Sequence, residues 1–227
     1  MIEGGHILVT GAFGALGRIV VEGLAARGAQ PIALGRADPA PSIPGAHVLA
    51  GVDLNDAASL AAAMARVAER TDRLAGLVNI AGGFTWEKVE GGSLDTWDQL
   101  YRVNLRTAVA AIQAFLPLLR KGGGSIVNVG AAAAATKAGV GMAAYAASKA
   151  GVIKLTESLA EELKDAGVRV NTVLPSIIDT AANRAAMPDA DFGAWVTPAA
   201  LEKTIAFLLS DDAAAITGAS LPITGRV

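Results

Sequence analysis

Short apolar runs alternate with longer amphipathic segments along the whole chain, and this alternation constrains the fold more than any single residue. Brief runs rich in Val, Ile and Leu suit buried strands. Longer stretches with apolar residues three and four apart suit helices that pack on them. These periods predict strands at 6–10, 31–34, 47–51, 76–80, 125–129, 169–174 and 220–224, and helices at 16–27, 56–69, 93–119, 143–164 and 198–209. Parallel strands need crossover connections, and each amphipathic helix needs a sheet face on which to bury its stripe. The expected architecture is therefore α/β: one Rossmann-like, doubly wound parallel sheet of about seven strands with helices on both faces, in a single domain over 1–227. No internal repeat or interdomain linker interrupts it. The proline-rich stretch 38–44 reads as a loop, because proline breaks helices.

Composition narrows the function classes. The chain is 52% hydrophobic and 18% charged, too apolar for disorder and suited to a sheet buried between helices. A formal charge of −2 with no basic block argues against nucleic acid as a partner. With no cysteine, disulfides, thiolate catalysis and zinc–cysteine sites are excluded. His6 and His47 stand too far apart in sequence to suggest a metal site, so none is expected. No apolar run reaches the roughly 18 residues of a membrane span; 129–148 comes nearest but contains Lys137 and three glycines. The first predicted strand begins at His6 and leaves no room for a cleavable signal, so a cytoplasmic location is expected.

The first βα connection, Thr10-Gly11-Ala12-Phe13-Gly14-Ala15-Leu16-Gly17, is glycine-rich and opens a helix. Glycines let backbone amides approach a pyrophosphate, and the helix N-terminus attracts its charge. Such a turn can also be no more than a tight connection; its place in the first βα unit favours nucleotide binding. The end of the second strand then selects the cofactor. An acidic residue there would bind the adenine ribose hydroxyls, whereas this chain has Gly35-Arg36, which leaves room for a 2′-phosphate and supplies a guanidinium. NADP(H) is expected over NAD(H), although nearby Asp38 complicates the charge balance. Asp53, followed by Leu54 just past the third strand, is placed to meet the adenine amino group or to cap the next helix, where Asn55 or Asp56 also serves.

Tyr145 and Lys149 lie four residues apart, on one face of a predicted helix. A lysine ammonium near a phenol favours the phenolate and draws its pKa of about 10 towards neutrality, which suits a proton donor to a carbonyl or imine under reduction. The same two residues also fit a core tyrosine and a solvated lysine; the glycine-rich turn upstream favours the catalytic reading. The long connection 179–196 carries Met187, Phe192 and Trp195, and irregular connections of that length are usually functional, here a substrate lid.

Taken in order, these segments resemble the short-chain dehydrogenase/reductase family over nearly the whole chain. The matching pieces are 10–17, Asn79-Ile80-Ala81-Gly82, Asn104, Tyr145 with Lys149, and Pro175 to Thr180. The resemblance implies Tyr145 as general acid, Lys149 as its tuner and a ribose ligand, and Asn104 as anchor of a proton-relaying water. It implies cofactor contacts from Thr10, Gly11, Phe13, Gly14, Leu16, Gly17, Gly35, Arg36, Asp53, Leu54, Asn79, Ala81, Gly82, Tyr145, Lys149, Pro175, Ile178 and Thr180. Ser176 stands where the family usually has glycine. A small-molecule substrate and a homodimer or homotetramer are also implied, with the alanine-rich faces of 93–119 and 143–164 allowing close helix packing.

One element is missing. The family's serine lies thirteen residues before the tyrosine, which falls on Ala132, or on Ala131 if counted from the strand. Only Thr136 offers a nearby hydroxyl. Loss of one donor to a developing oxyanion costs roughly 3 kcal/mol, so a difficult ketone would be a poor substrate. Dihydropteridine reductases are similar in their alanine-rich sequence here, in Gly139-Val140-Gly141-Met142, in Asn183-Arg184, and in Met187 to Phe192 and Trp195. They reduce a quinonoid ring that accepts hydride readily. This chain departs from them at Gly35, where they carry an acid and favour NADH, and at Asn104, which they generally lack. The expected function is hydride transfer from NADPH to an activated acceptor: a quinonoid dihydropterin-like ring, a quinone or a reactive carbonyl. The alternatives are a carbonyl or 3-oxoacyl reductase that has lost its serine, and a nucleotide-binding regulator without turnover.

Overall fold

In the computed structural model, which describes residues 2–227, seven strands form one sheet: β1 (His6–Thr10), β2 (Gln30–Leu34), β3 (His47–Leu49), β4 (Gly76–Asn79), β5 (Ser125–Val129), β6 (Arg169–Pro175) and β7 (Ser220–Ile223). All pairings are parallel, in the order β3-β2-β1-β4-β5-β6-β7. Each strand passes to the next through a crossover, which is why short apolar runs alternate with long amphipathic ones.

The helices are α1 (Ala15–Ala26), α2 (Ala57–Ala68), α3 (Leu94–Tyr101), α4 (Thr107–Arg120), α5 (Ala132–Ala135), α6 (Ala143–Leu163), α7 (Ala181–Ala186) and α8 (Pro198–Leu209). Strand periodicity sorts the core into two layers. Ile7 and Val9 of β1 face α1 and α8, packing with Val20, Leu24, Leu201 and Ile205. Leu8, between them, faces the other way, with Leu60, Phe115 and Leu163 from α2, α4 and α6.

Two departures from the predicted elements bear on the site. The helix expected over 93–119 is broken by one π-helical turn, Arg102–Arg106, between α3 and α4. Such a turn admits an extra residue, and here Asn104 at its centre hydrogen-bonds to groups outside the helix. The connection 179–196 is largely ordered: Thr180 caps α7, and a 3₁₀ turn spans Phe192–Ala194. Strand order reverses between β1 and β4, whose C-terminal residues Thr10 and Asn79 lie side by side. Ligands of open α/β sheets bind at such a point.

Candidate active site

The turn after β1 and the turn after β4 open onto a cleft of about 520 Å³. Gly11, Phe13, Gly14, Leu16, Gly17, Gly35, Arg36, Asp53, Leu54, Ala81 and Gly82 all line it, so the residues expected at the nucleotide end come together. Gly11 is required on two counts: its φ is +65°, and a Cβ there would fall 2.7 Å from the Ala81 nitrogen. The turn is held by Gly14 N–H to the Gly11 carbonyl (3.1 Å) and Ala12 N–H to the Leu34 carbonyl (3.0 Å). The cleft thus has a glycine cradle running into the start of α1, which fits the pyrophosphate of a dinucleotide. Asp56, not Asp53, caps α2 by accepting from Ser59 N–H (2.7 Å). Asp53 closes a local turn, accepting from Asn55 N–H (2.8 Å) at the cleft edge. Arg36 is exposed, and among the described residues no hydrogen bond or ion pair engages it.

Thr10 and Asn79 do not line the cleft. Both are buried and belong to a polar chain that crosses the sheet. Thr10 Oγ1 accepts from the amides of Ile80 (3.2 Å) and Ala81 (3.4 Å), bracing the second turn against the first strand. Asn79 Nδ2 donates to Asn128 Oδ1 (2.9 Å), and Asn128 Nδ2 donates to Thr156 Oγ1 (2.9 Å) on α6. This network ties the cradle to the helix that carries Tyr145. Sequence reasoning missed Asn128 and Thr156; the signal was a lone asparagine inside the apolar run of β5.

Tyr145 and Lys149 do not line this cleft but stand next to it, Tyr145 against the ring of Phe84 and Lys149 behind Gly82. Lys149 is buried, and its Nζ donates to the Val129 carbonyl at the end of β5 (2.7 Å). Burial draws its pKa from 10.5 down to about 8. Burial pushes the Tyr145 phenol up from its ordinary value of 10.0. The lowering expected from a neighbouring ammonium is therefore not what the polypeptide surroundings produce; desolvation dominates, and the phenol is held protonated. Asn104 is fully engaged: Oδ1 accepts from Gly83 N–H (2.9 Å), and Nδ2 donates to the Gly83 carbonyl (3.1 Å) and to Ser148 Oγ (3.0 Å). A Cβ at Gly82 would come within 2.7 Å of Asn104 Oδ1 and 3.3 Å of Lys149 Nζ, so the glycine lets both side chains pack directly behind this part of the cleft wall.

Among the described residues no side-chain hydroxyl hydrogen-bonds to the Tyr145 phenol. Ala131 is the N-cap position of α5, Ala132 is its first residue, and α5 packs against α6. Thr136 is exposed and donates to the Ala132 carbonyl (2.9 Å). Ser148 donates to the Tyr145 carbonyl (2.7 Å). Aromatic rings stand here instead. Phe84, which lines the cleft, meets Tyr145 edge to face with centroids 5.0 Å apart. Trp86 lies against Gly141, and Glu87 N–H donates to the Gly141 carbonyl (2.9 Å). Both rings are more than half exposed. Their signal in the sequence was Phe84-Thr85-Trp86 directly after the Asn79–Gly83 turn.

Beyond β6, Thr180 Oγ1 accepts from Asn183 N–H (3.2 Å), and the Ile178 carbonyl accepts from Asn183 Nδ2 (2.7 Å). Pro175 ends β6, and Ile178 bridges to Val196. Within 179–196, Arg184 forms a bidentate pair with Asp179 (2.5 and 2.7 Å) and lies 4.8 Å from the centre of the Phe192 ring. Arg184 holds the Asp179 carboxyl below its usual range. Phe192 packs on Trp195, which is buried, while Met187 is half-buried. Arg226 fastens the segment from the far end, with N–H to the Ala194 carbonyl and Nη2 to the Gly193 carbonyl (both 2.9 Å). Among the described residues no acidic or histidine cluster suited to a metal occurs, and no helix is long and apolar enough to cross a membrane.

Comparison with known proteins agrees with this geometry. A family model described as short chain dehydrogenase matches residues 5–191. The D-threitol dehydrogenase of Mycolicibacterium smegmatis is 36% identical, over 99% of this chain and 93% of that protein. The 3-oxoacyl-[acyl-carrier-protein] reductase FabG of Escherichia coli is 33% identical, over 98% and 97%. Among solved structures, the aldohexose dehydrogenase of Thermoplasma acidophilum superposes with a TM-score of 0.89 at 26% identity, covering 99% of this chain and 94% of that one.

Proposed function

The chain belongs to the short-chain dehydrogenase family of NAD(P)-dependent oxidoreductases, and we propose that it is an NADPH-dependent reductase similar to dihydropteridine reductases. Its acceptor, on this reading, needs little polarisation: a quinonoid dihydropterin-like ring, a quinone or a reactive carbonyl. The observation that carries the proposal is the pairing of a protonated, half-buried Tyr145 with alanines at 131 and 132 and aromatic rings alongside. A ketone oxygen gains negative charge as it is reduced and is helped by a second donor; a conjugated ring spreads that charge itself.

A bound nicotinamide cofactor supplies the hydride. Tyr145 Oη gives the proton to the acceptor. Lys149 holds its ammonium beside the cleft floor, anchored to Val129, and binds the cofactor ribose. Asn104 fixes the π-helical turn against Gly83, which keeps backbone groups of that turn available to a relaying water. Gly35 and Arg36 support NADPH over NADH, because the guanidinium is exposed, has no hydrogen-bond or ion-pair partner among the described residues, and can meet a 2′-phosphate. Residues 179–196 act as the substrate lid of a single domain, and alanine-rich faces of α4 and α6 support a homodimer or homotetramer.

A second reading, a carbonyl or 3-oxoacyl reductase without its serine, draws support from the names of the two relatives above. The assay that separates them follows NADPH and NADH oxidation against quinonoid dihydropterin, quinones and simple ketones. Turnover of the conjugated acceptors with NADPH supports the proposal. Activity confined to ketones sinks it in favour of the second reading.

A further inference from the structure

The nucleotide end of the cleft holds a steric relation between two residues remote in sequence. Gly35 directly follows β2 with both backbone groups pinned: its N–H donates to the Leu49 carbonyl (3.3 Å) and its carbonyl accepts from Val52 N–H (3.0 Å). The Phe13 ring lies across the space where a side chain at 35 would begin. A Cβ on Gly35 would fall within 2.6 Å of Phe13 Cγ and closer still to Cδ2. Approaches under about 3 Å do not persist between such carbons, so something must move. The strand is held on both sides and the glycine turn is tied to Leu34. The ring is left to move, and the open side available to it is the cleft that it, Gly35 and Arg36 all line.

We propose that Phe13 is a specificity-determining residue: its ring bars an acidic side chain from position 35 and so holds the site to the phosphate-bearing cofactor. The proposal rests on the reading that Gly35 and Arg36 meet the adenine ribose. An aspartate at 35 has the reach to bind ribose hydroxyls only if the ring is gone. With the ring present, it drives Phe13 into the space the ribose needs, and both dinucleotides lose. Cofactor choice here is a property of the pair 13 and 35, not of position 35 alone.

The test is a double-mutant cycle in which dissociation constants for NADPH and NADH are measured by titration calorimetry on wild type, Phe13→Ala, Gly35→Asp and the double variant. Thermal unfolding checks that each is folded. Gly35→Asp alone is expected to weaken both cofactors by about tenfold or more, and adding Phe13→Ala is expected to restore NADH binding and reverse the preference. Gly35→Ala, which adds only the Cβ, isolates the steric part: it weakens NADPH, and Phe13→Ala relieves the loss. Should Gly35→Asp misfold, the Gly35→Ala pair decides the matter. Tight NADH binding by Gly35→Asp alone, equal to the double variant, overturns the gate, as does additivity at 35 and 13. A wild type that prefers NADH refutes the underlying cofactor reading instead, a result visible before any variant is made.

Discussion

Replacing Lys149 with Met separates what this lysine costs the fold from what it does in the cleft. Its Nζ is buried, bonded to the Val129 carbonyl at 2.7 Å, and its pKa falls from 10.5 to about 8. A fall of that size corresponds to roughly 3–4 kcal/mol, at ~1.4 kcal/mol for each tenfold change in proton affinity. The folded value is the lower one. Below about pH 8 both states hold the proton, and the folded chain bears the full cost of a buried ammonium. Between about 8 and 10.5 the folded state releases its proton while the unfolded chain keeps it, so stability rises with pH. Methionine has a similar unbranched stem and no charge, but leaves the Val129 carbonyl without its donor, a loss of ~1–2 kcal/mol. The variant is therefore expected to be ~1–2 kcal/mol more stable than wild type near pH 7, and to lose that advantage by about pH 9.5 as wild type gains ~2 kcal/mol. Urea unfolding of the cofactor-free protein at a series of pH values reads this directly, while NADPH-dependent turnover disappears in the same variant. Stability curves that stay parallel from pH 7 to 9.5 would falsify the argument, because they would mean that Lys149 does not change its ionisation in the folded state.

Three further outcomes are expected. Tyr145→Phe lowers turnover of every acceptor by ~10²–10⁴ while NADPH still binds in a calorimeter; undiminished turnover would return the chain to a binding role. Ala132→Ser, with Ala131→Ser as its companion, raises ketone turnover by about tenfold or more and changes quinonoid turnover less, since only the ketone needs a second donor. If neither serine helps, the missing hydroxyl is not what limits ketone reduction. Arg226→Ala removes the side-chain bond to Gly193 and leaves the backbone bond to Ala194. Limited proteolysis should then cut faster within 179–196, with substrate KM raised more than kcat lowered; an unchanged cleavage pattern and KM would show that Arg226 does not hold the lid.

Most of the fold was legible because its signals are local and periodic. Helix α8 was read to both ends, since Pro198 at its first turn and Thr197 as cap mark its start. The cradle was legible too, because Gly11, Gly14 and Gly17 follow an apolar run at fixed spacing. The π-helical turn was not. It depends on Asn104 bonding to Gly83 and Ser148, 21 and 44 residues away, and helical periodicity passes over a single extra residue. The expected segment 179–196 gave no hint that Arg226 would fasten it, or that Trp195 would be buried, because both contacts come from outside the segment's own pattern.

The amino-acid sequence by itself determined the parallel α/β sheet, the position of the glycine-rich turn after β1, the residues Tyr145 and Lys149, and the absence of a hydroxyl at 131 and 132. Each depends on residue identity and short spacing, which the chain carries locally. Tertiary structure decided the electrostatic state of that pair and the steric state of the cleft. Burial, not the neighbouring lysine, shifts the Tyr145 phenol, and it shifts it upward, while the Phe13 ring occupies the space that a side chain at position 35 would need. Desolvation and close packing arise only when segments distant in sequence meet, so neither quantity exists until the chain has folded.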